Sequence, residues 1–173
     1  MIKLTPVPSF ALRSKKRGFT LLELLLVMGI IGILSAIGLP IYRDYTTKAK
    51  LVEAISLLNT LKAKVSEYYI TNEKWPSSTA EVLGGAYSLE GNYGISVNCL
   101  GYTDCSQLNA NLDRTKLGLS LEDLPYGWGI VLIAKVNEDT ISWTCSPSQR
   151  GATSYLINPK YLPSNCRDLV PNS

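Results

Sequence analysis

The sequence predicts an α+β fold, with one long N-terminal helix packed on a small antiparallel β-sheet. Three observations lead there. Residues 19–41 are apolar except for Thr20, Glu23 and Ser35. Helical spacing continues beyond them through Leu51, Ile55, Leu58, Val65 and Tyr69. Near the other end, "YGWGIVLIAKV" and "TISWTC" alternate apolar and polar side chains about a polar "NED", the pattern of a β-hairpin. At 173 residues the chain can build one domain with a real core.

The apolar run comes first. As a helix it spans a bilayer core of ~30 Å, and no later run is long enough to repeat it. Five of the seventeen basic side chains (Lys3, Arg13, Lys15, Lys16 and Arg17) precede it, with no acid among them. The remaining twelve face fourteen acids, so the positive net charge belongs to the leader. A basic leader before an apolar run keeps the cations in the cytoplasm and sends the downstream residues across the membrane. Cys99, Cys105, Cys145 and Cys166 all lie on the far side, where disulfides persist. There is no histidine and no CxxC pair, which argues against a zinc site; no cofactor is expected.

The spacing predicts one helix from about residue 19 to 69–71, apolar on all sides in its first half and amphipathic in its second. Lys50, Glu53, Lys62, Lys64 and Glu67 take the other faces of that second half. Gly32 and Gly38 lower its propensity, and Pro40 cannot donate to the carbonyl of Ala36, so a kink is expected at Pro40. "NEKWP" at 72–76 ends the helix. Ser78-x-x-Glu81 reads as a capping box opening a short helix stopped by Gly84-Gly85. Residues 86–125 read as loop-rich, with a strand at 93–97. The hairpin follows, with Trp128, Ile130, Leu132, Ala134 and Val136 on one face and Ile141, Trp143 and Cys145 on the returning strand. This face is expected to lie on the amphipathic helix. A third strand is expected near 153–157.

Glu23 admits three readings. In an ordinary secretory signal it would be incidental, but the apolar run far exceeds the usual ~7–15 residues and no A-x-A site closes it. In a plain anchor it would be tolerated near the interface. In the third reading it has a partner, because a carboxylate inside a membrane costs ~2.5–3.5 kcal/mol and marks a functional site.

The stretch Gly18-Phe19-Thr20-Leu21-Leu22-Glu23 resembles the cleavage and methylation motif of type IV pilins, and the match continues through "LLLVMGIIGILSAIGLPIYRDYTTKAK" to residue 50. The resemblance implies a type IV pilin fold and division into a leader (1–18), a helix (19–71, with a membrane and assembly segment 19–41 and an amphipathic half 42–71) and a head (72–173). It implies that prepilin peptidase cuts between Gly18 and Phe19 and that the new Phe19 terminus is N-methylated. It also implies that Glu23 neutralises the Phe19 amine of a neighbouring subunit during assembly. Two opposite charges buried among apolar helices are tolerable only if they meet, so the pair would act as a registration device. Pilin helices melt around a proline in assembled filaments, a role that falls here on Pro40.

"WTCSPSQRGATSYLINPKYLPSNCR" resembles the region of type IVa pilins in which a disulfide closes the last loop, here Cys145 with Cys166. Four cysteines allow three connectivities; Cys99–Cys105 with Cys145–Cys166 is favoured because each pair closes a local loop. Cys99 and Cys105 depart from the many such pilins that have only the C-terminal bond. Some type IVa pilins that end in serine carry an O-linked glycan there, which makes Ser173 a candidate acceptor.

The function implied is that of a structural subunit: a single-pass precursor in the inner membrane, then a homopolymer built by an inner-membrane assembly platform, serving twitching motility, adhesion and DNA uptake. A minor pilin or a type II secretion pseudopilin shares the N-terminal motif, although the 145–166 loop leans towards pili. A DNA-receptor pilin needs a basic stripe, yet beyond Thr71 seven basic residues face ten acidic ones; Lys160 and Arg167 are the candidates for a local cluster. Binding to a host surface draws no specific motif. An anchored enzyme lacks the usual nucleophile–base pairs, and Glu122-Asp123 and Glu138-Asp139 read as solvated turns.

Overall fold

A computed structural model of the chain describes residues 18–100, 104–138, 140–148 and 157–168. Helix α1 runs Leu21–Asn72, followed by the short α2 (Thr79–Val82), β1 (Leu89–Glu90), β2 (Ile95–Cys99), β3 (Gln107–Leu112), α3 (Arg114–Leu117), β4 (Trp128–Asn137) and β5 (Thr140–Pro147). The strands form one antiparallel sheet in the order β1-β2-β3-β4-β5. The chain divides into two compact units at Leu39/Pro40. The N-terminal unit holds the apolar half of α1. The second unit, the head, holds the rest of α1 and the sheet.

The head's core follows from two periodicities. Thr47, Leu51, Ala54, Leu58, Leu61 and Val65 form the buried stripe of α1, at alternating steps of four and three. From the sheet, Ile95 and Val97 of β2, Leu108, Ala110 and Leu112 of β3, and Ile130 and Leu132 of β4 alternate onto the facing surface. The stripe is rotated slightly from expectation: Ala54 and Leu61 are fully buried, while Ile55 and Tyr69 are only half-buried.

After α1, Glu73 adopts a left-handed φ of 54° and Trp75 folds back on Tyr69, ring centroids 4.3 Å apart. Trp143 of β5 meets Trp75 edge-on at 6.0 Å and donates its indole N–H to Ser66 Oγ at 3.1 Å. These contacts lay the hairpin on the helix, as its alternation predicts.

Several local expectations are corrected. Ser78 is the N-cap of α2 but its side chain makes no capping bond; Glu81 accepts instead from the Ser77 N–H at 2.6 Å, the Ser77 hydroxyl at 3.1 Å and the Tyr68 hydroxyl at 3.2 Å. The strand expected at 93–97 begins two residues later, because Tyr93 sits in a 3-10 turn with φ of 54°. The region read as loop-rich contains β3, the central strand. The hairpin face is apolar along its length but buried only in its middle. Trp128 pairs with Asn111 beyond a register shift at Ala110/Asn111, and pairing with β3 ends at Ile133, so Trp128 and Val136 are exposed. Of the strand expected near 153–157, residues 153–156 lie outside the described residues, and Ile157 is buried but not in a strand.

Candidate assembly site

The N-terminal site is built around the start of α1. Gly18 and Phe19 precede the helix, and Phe19 is 83% exposed. Thr20 and Glu23 form a reciprocal capping box. The Thr20 N–H and hydroxyl donate to Glu23 Oε2 at 3.0 and 2.9 Å, and the Glu23 N–H donates back to Thr20 Oγ1 at 3.3 Å. The two backbone N–H bonds satisfy groups that a helix start leaves open. On sequence alone Glu23 has no partner in its own chain; the structure supplies Thr20. The signal is present in the sequence, since Thr20-x-x-Glu23 is the same pattern read as a box at Ser78 and Glu81, where no box forms. Both Thr20 donors fall on Oε2, and among the described residues Oε1 accepts no bond that would compete with an incoming cation.

Beyond this box the described residues of the N-terminal unit form an apolar surface without cover. The large apolar side chains from Leu21 to Leu39 are all exposed. The helix that carries them is long and apolar enough to cross a membrane, and none of its most apolar window is buried within the chain. Such a surface demands lipid or other helices. The helix continues through Pro40, the first residue of the head.

In the head, the first turns of α1 after Pro40 are bound by polar groups. The Thr47 hydroxyl donates to the Leu117 carbonyl at 3.2 Å, and Lys50 Nζ donates to the Lys116 carbonyl at 3.0 Å while lying 5.0 Å from the Tyr93 ring centroid. The Tyr161 hydroxyl lies 3.4 Å from Asp44 Oδ1 and 3.3 Å from Asp123 Oδ2. Asp123 also accepts from Ser120 at 2.7 Å and Asn158 at 3.1 Å, and pairs with Lys160 at 3.6 Å. Burial alone would raise the Asp123 pKa; the hydroxyl of Ser120, the amide of Asn158 and the Lys160 charge together hold it below the ordinary carboxylate range. Asp123 is therefore a structural anchor and not the solvated turn residue its sequence suggests. Lys160, a candidate for a DNA-facing cluster, is engaged by this network.

Two disulfides staple the head. Cys99 joins Cys105 with Cα atoms 4.9 Å apart, and Cys145 joins Cys166 at 4.7 Å. The second ties β5 to the C-terminal 3-10 turn at Ser164–Cys166. The first does more than close its own loop: the Cys99 N–H donates to Thr79 Oγ1 at 2.8 Å and the Cys105 N–H to the Pro76 carbonyl at 2.9 Å. The staple thereby holds the segment that comes after α1. Ser173 lies outside the described residues.

Comparison with known proteins agrees with this geometry along nearly the whole chain. Residues 13–39 match the prokaryotic N-terminal methylation motif and residues 47–167 match the family Pilin (bacterial filament). The chain is 33% identical to the fimbrial protein of Neisseria meningitidis, with 88% of this chain and 95% of that protein covered. It is 34% identical to the fimbrial protein EcpC of Eikenella corrodens (91% and 94% covered) and 33% identical to the type IV major pilin protein PilE of Neisseria gonorrhoeae (88% and 95% covered). An apolar helix capped by Thr20 and Glu23, a stapled head on a five-stranded sheet, and these matches lead to one conclusion: this protein belongs to the pilin family.

Proposed function

We propose that the chain is the structural subunit of a type IV pilus filament. It is made as a precursor held in the inner membrane by residues 19–41, with the leader 1–18 in the cytoplasm. Prepilin peptidase cuts between Gly18 and Phe19, and Phe19 is N-methylated. The inner-membrane assembly platform then lifts the subunit into a homopolymer outside the cell. Motility, adhesion and DNA uptake are expected of the polymer, and no step needs catalysis by this chain.

The observation that carries this reading is the uncovered apolar surface of α1 with one carboxylate at its start. Lipid satisfies that surface before assembly and other copies of the same helix satisfy it afterwards. Glu23 then serves two states. In the single subunit Thr20 donates to it, which lowers the cost of holding a carboxylate at the membrane edge. In the filament the cationic Phe19 terminus of a neighbour reaches it, and each buried charge meets its opposite. The 145–166 disulfide loop and the major pilins among the relatives favour a major subunit over a minor pilin or a pseudopilin.

The test is electron microscopy of filaments sheared from cells, with mass spectrometry of the main band. The expected result is thin filaments whose dominant subunit begins at methylated Phe19. A terminus near Ala36 would return the chain to the ordinary secretory class, and a chain absent from the filament mass would remove it from the major subunits.

A further inference from the structure

The exposed aromatic side chains of the head gather at one end. Thr47 and Lys50 of α1 donate to the Leu117 and Lys116 carbonyls, and the Leu112 and Asp113 N–H groups donate to the Gly127 and Gly94 carbonyls. These bonds tie the first turns of α1 in the head to one end of the sheet, its base. Tyr42 and Tyr45 stand on the helix there, Leu121 and Tyr126 in the loop before β4, and Trp128 at the first position of β4. All five are between 48% and 71% exposed. Tyr93 is at the same end, 5.0 Å from Lys50 Nζ. Among the described residues of the head, Tyr87 is the only exposed aromatic elsewhere; Tyr69, Trp75 and Trp143, towards the opposite end, pack on one another. Charge at the base is of both signs. Lys116 lies 4.0 Å from Asp113, Lys160 lies 3.6 Å from Asp123, and Arg43 is followed by Asp44.

We propose that this base lies in the headgroup layer of the bilayer that holds residues 19–41. Tyr42, Tyr45, Leu121, Tyr126 and Trp128 then form an interfacial belt that fixes how deep the waiting subunit sits. This deepens the reading of the chain as a membrane-held precursor and rests on it. The depth follows from the helix rise. The apolar run ends at Ile41, and Tyr42 and Tyr45 stand about 1.5 and 6 Å beyond it along the axis. The headgroup layer is about 5–8 Å thick on each side of the hydrocarbon core. Asp44 lies between the two tyrosines in height. The Tyr161 hydroxyl bridges it to Asp123, at 3.4 and 3.3 Å, and Leu121 is two residues from Asp123. The loop is thereby held at the level of the tyrosines. The belt also surrounds the helix. Thr47 marks the face turned to the head; at about 100° per residue, Tyr42 and Tyr45 fall on the other side, opposite Leu121 and its loop. Tyrosine and tryptophan suit such a layer because each joins an apolar ring to a polar group that stays hydrated. With charges of both signs at the base, the rings and not a net charge make the attraction.

The experiment reconstitutes the full chain in phosphatidylcholine vesicles whose acyl chains carry bromine near the carbonyl end, and reads tryptophan fluorescence. The chain has three tryptophans, Trp75, Trp128 and Trp143, and only Trp128 is at the base, so the probe is native. Partial quenching is expected in the unaltered chain, and its loss in Trp128→Phe, a change at an exposed position outside the core. Leu121→Asp should weaken the quenching by drawing the base out of the layer, and high salt should leave it in place. No quenching in the inserted chain would overturn the proposal, because the base would then face water or other copies. Quenching that survives Trp128→Phe would put another face on the bilayer and overturn it as well. So would quenching indifferent to Leu121→Asp, or quenching that needs anionic lipid and disappears in salt. Failure of the unaltered chain to sediment with the vesicles at all would instead defeat the precursor reading, so the two failures are separable.

Discussion

The two units of this chain solve opposite problems. The head buries its apolar side chains internally, against a sheet, and closes two loops covalently. The first half of α1 buries none and leaves Leu, Ile and Val side chains exposed over its whole length. The head is thus stabilised by its own contacts, whereas the N-terminal half acquires its energetics only from lipid or from other copies. Polar groups follow the same division. In the head, Asp123 accepts from nearby Ser120 and also from Asn158 and Tyr161, distant parts of the chain. Among the described residues of the N-terminal half, Glu23 has only Thr20, three residues away.

The largest expected effect comes from removing that carboxylate. Glu23→Ala should abolish efficient filament growth while leaving the head folded, since the head's core, sheet and disulfides are built without it. Filament yield and circular dichroism of the detergent-solubilised subunit measure the two halves separately. Wild-type yield would break the contrast, because the apolar helix would then need no registration.

The disulfides sharpen the contrast from the other side. Cys145→Ser should destabilise the head by about 3 kcal/mol and Cys99→Ser by about 2 kcal/mol, following closed loops of sequence separation 21 and 6. Thermal melts of a fragment beginning at Thr46 rank them. The bonds from Cys99 to Thr79 and from Cys105 to Pro76 narrow this gap, and a reversed order would make the small staple the principal one.

A smaller effect is expected from acid. The folded pKa of Asp123 lies below its ordinary value of 3.8. Its contribution is therefore complete above that value and is lost as pH falls through the lower folded pKa. Asp113, which accepts from the Thr115 hydroxyl and the Lys116 N–H, shifts in the same direction. The head should melt at constant temperature near neutrality and lose stability below about pH 4. Asp123→Asn should flatten that acid limb; an unchanged limb would mean the network around Tyr161 contributes nothing to folding.

The smallest expected change is in mass. A glycan on Ser173 would add to the intact mass of the filament subunit without altering head stability, because the site lies beyond the last cysteine at the chain terminus. A mass explained by cleavage, methylation and two disulfides alone would remove it.

What the sequence determined by itself was what short-range patterns encode. The apolar run, the amphipathic stripe of α1 and the β4–β5 hairpin depend on residues a few positions apart, and they are legible for that reason. So is Glu23 as an anomaly, and so is the Thr20-x-x-Glu23 spacing, although only the structure distinguishes this box, which forms, from the one at Ser78 and Glu81, which does not. The tertiary structure decided the rest. Gln107–Leu112 is the central strand, yet its Asn109 and Asn111 read as loop residues; buried Asn109 is accommodated because it donates to Asn111 and accepts from Ser148, and Asn111 donates to Asn98 of β2. Glu81 chose Ser77 and Tyr68 over Ser78, and Asp123 drew in Ser120, Asn158, Lys160 and Tyr161. Several of these pairings, Glu81 with Tyr68 and Asp123 with Asn158 and Tyr161 among them, join residues far apart in the chain. Their stability depends on loop closures and on what the rest of the fold has already brought near, and no local periodicity carries that information.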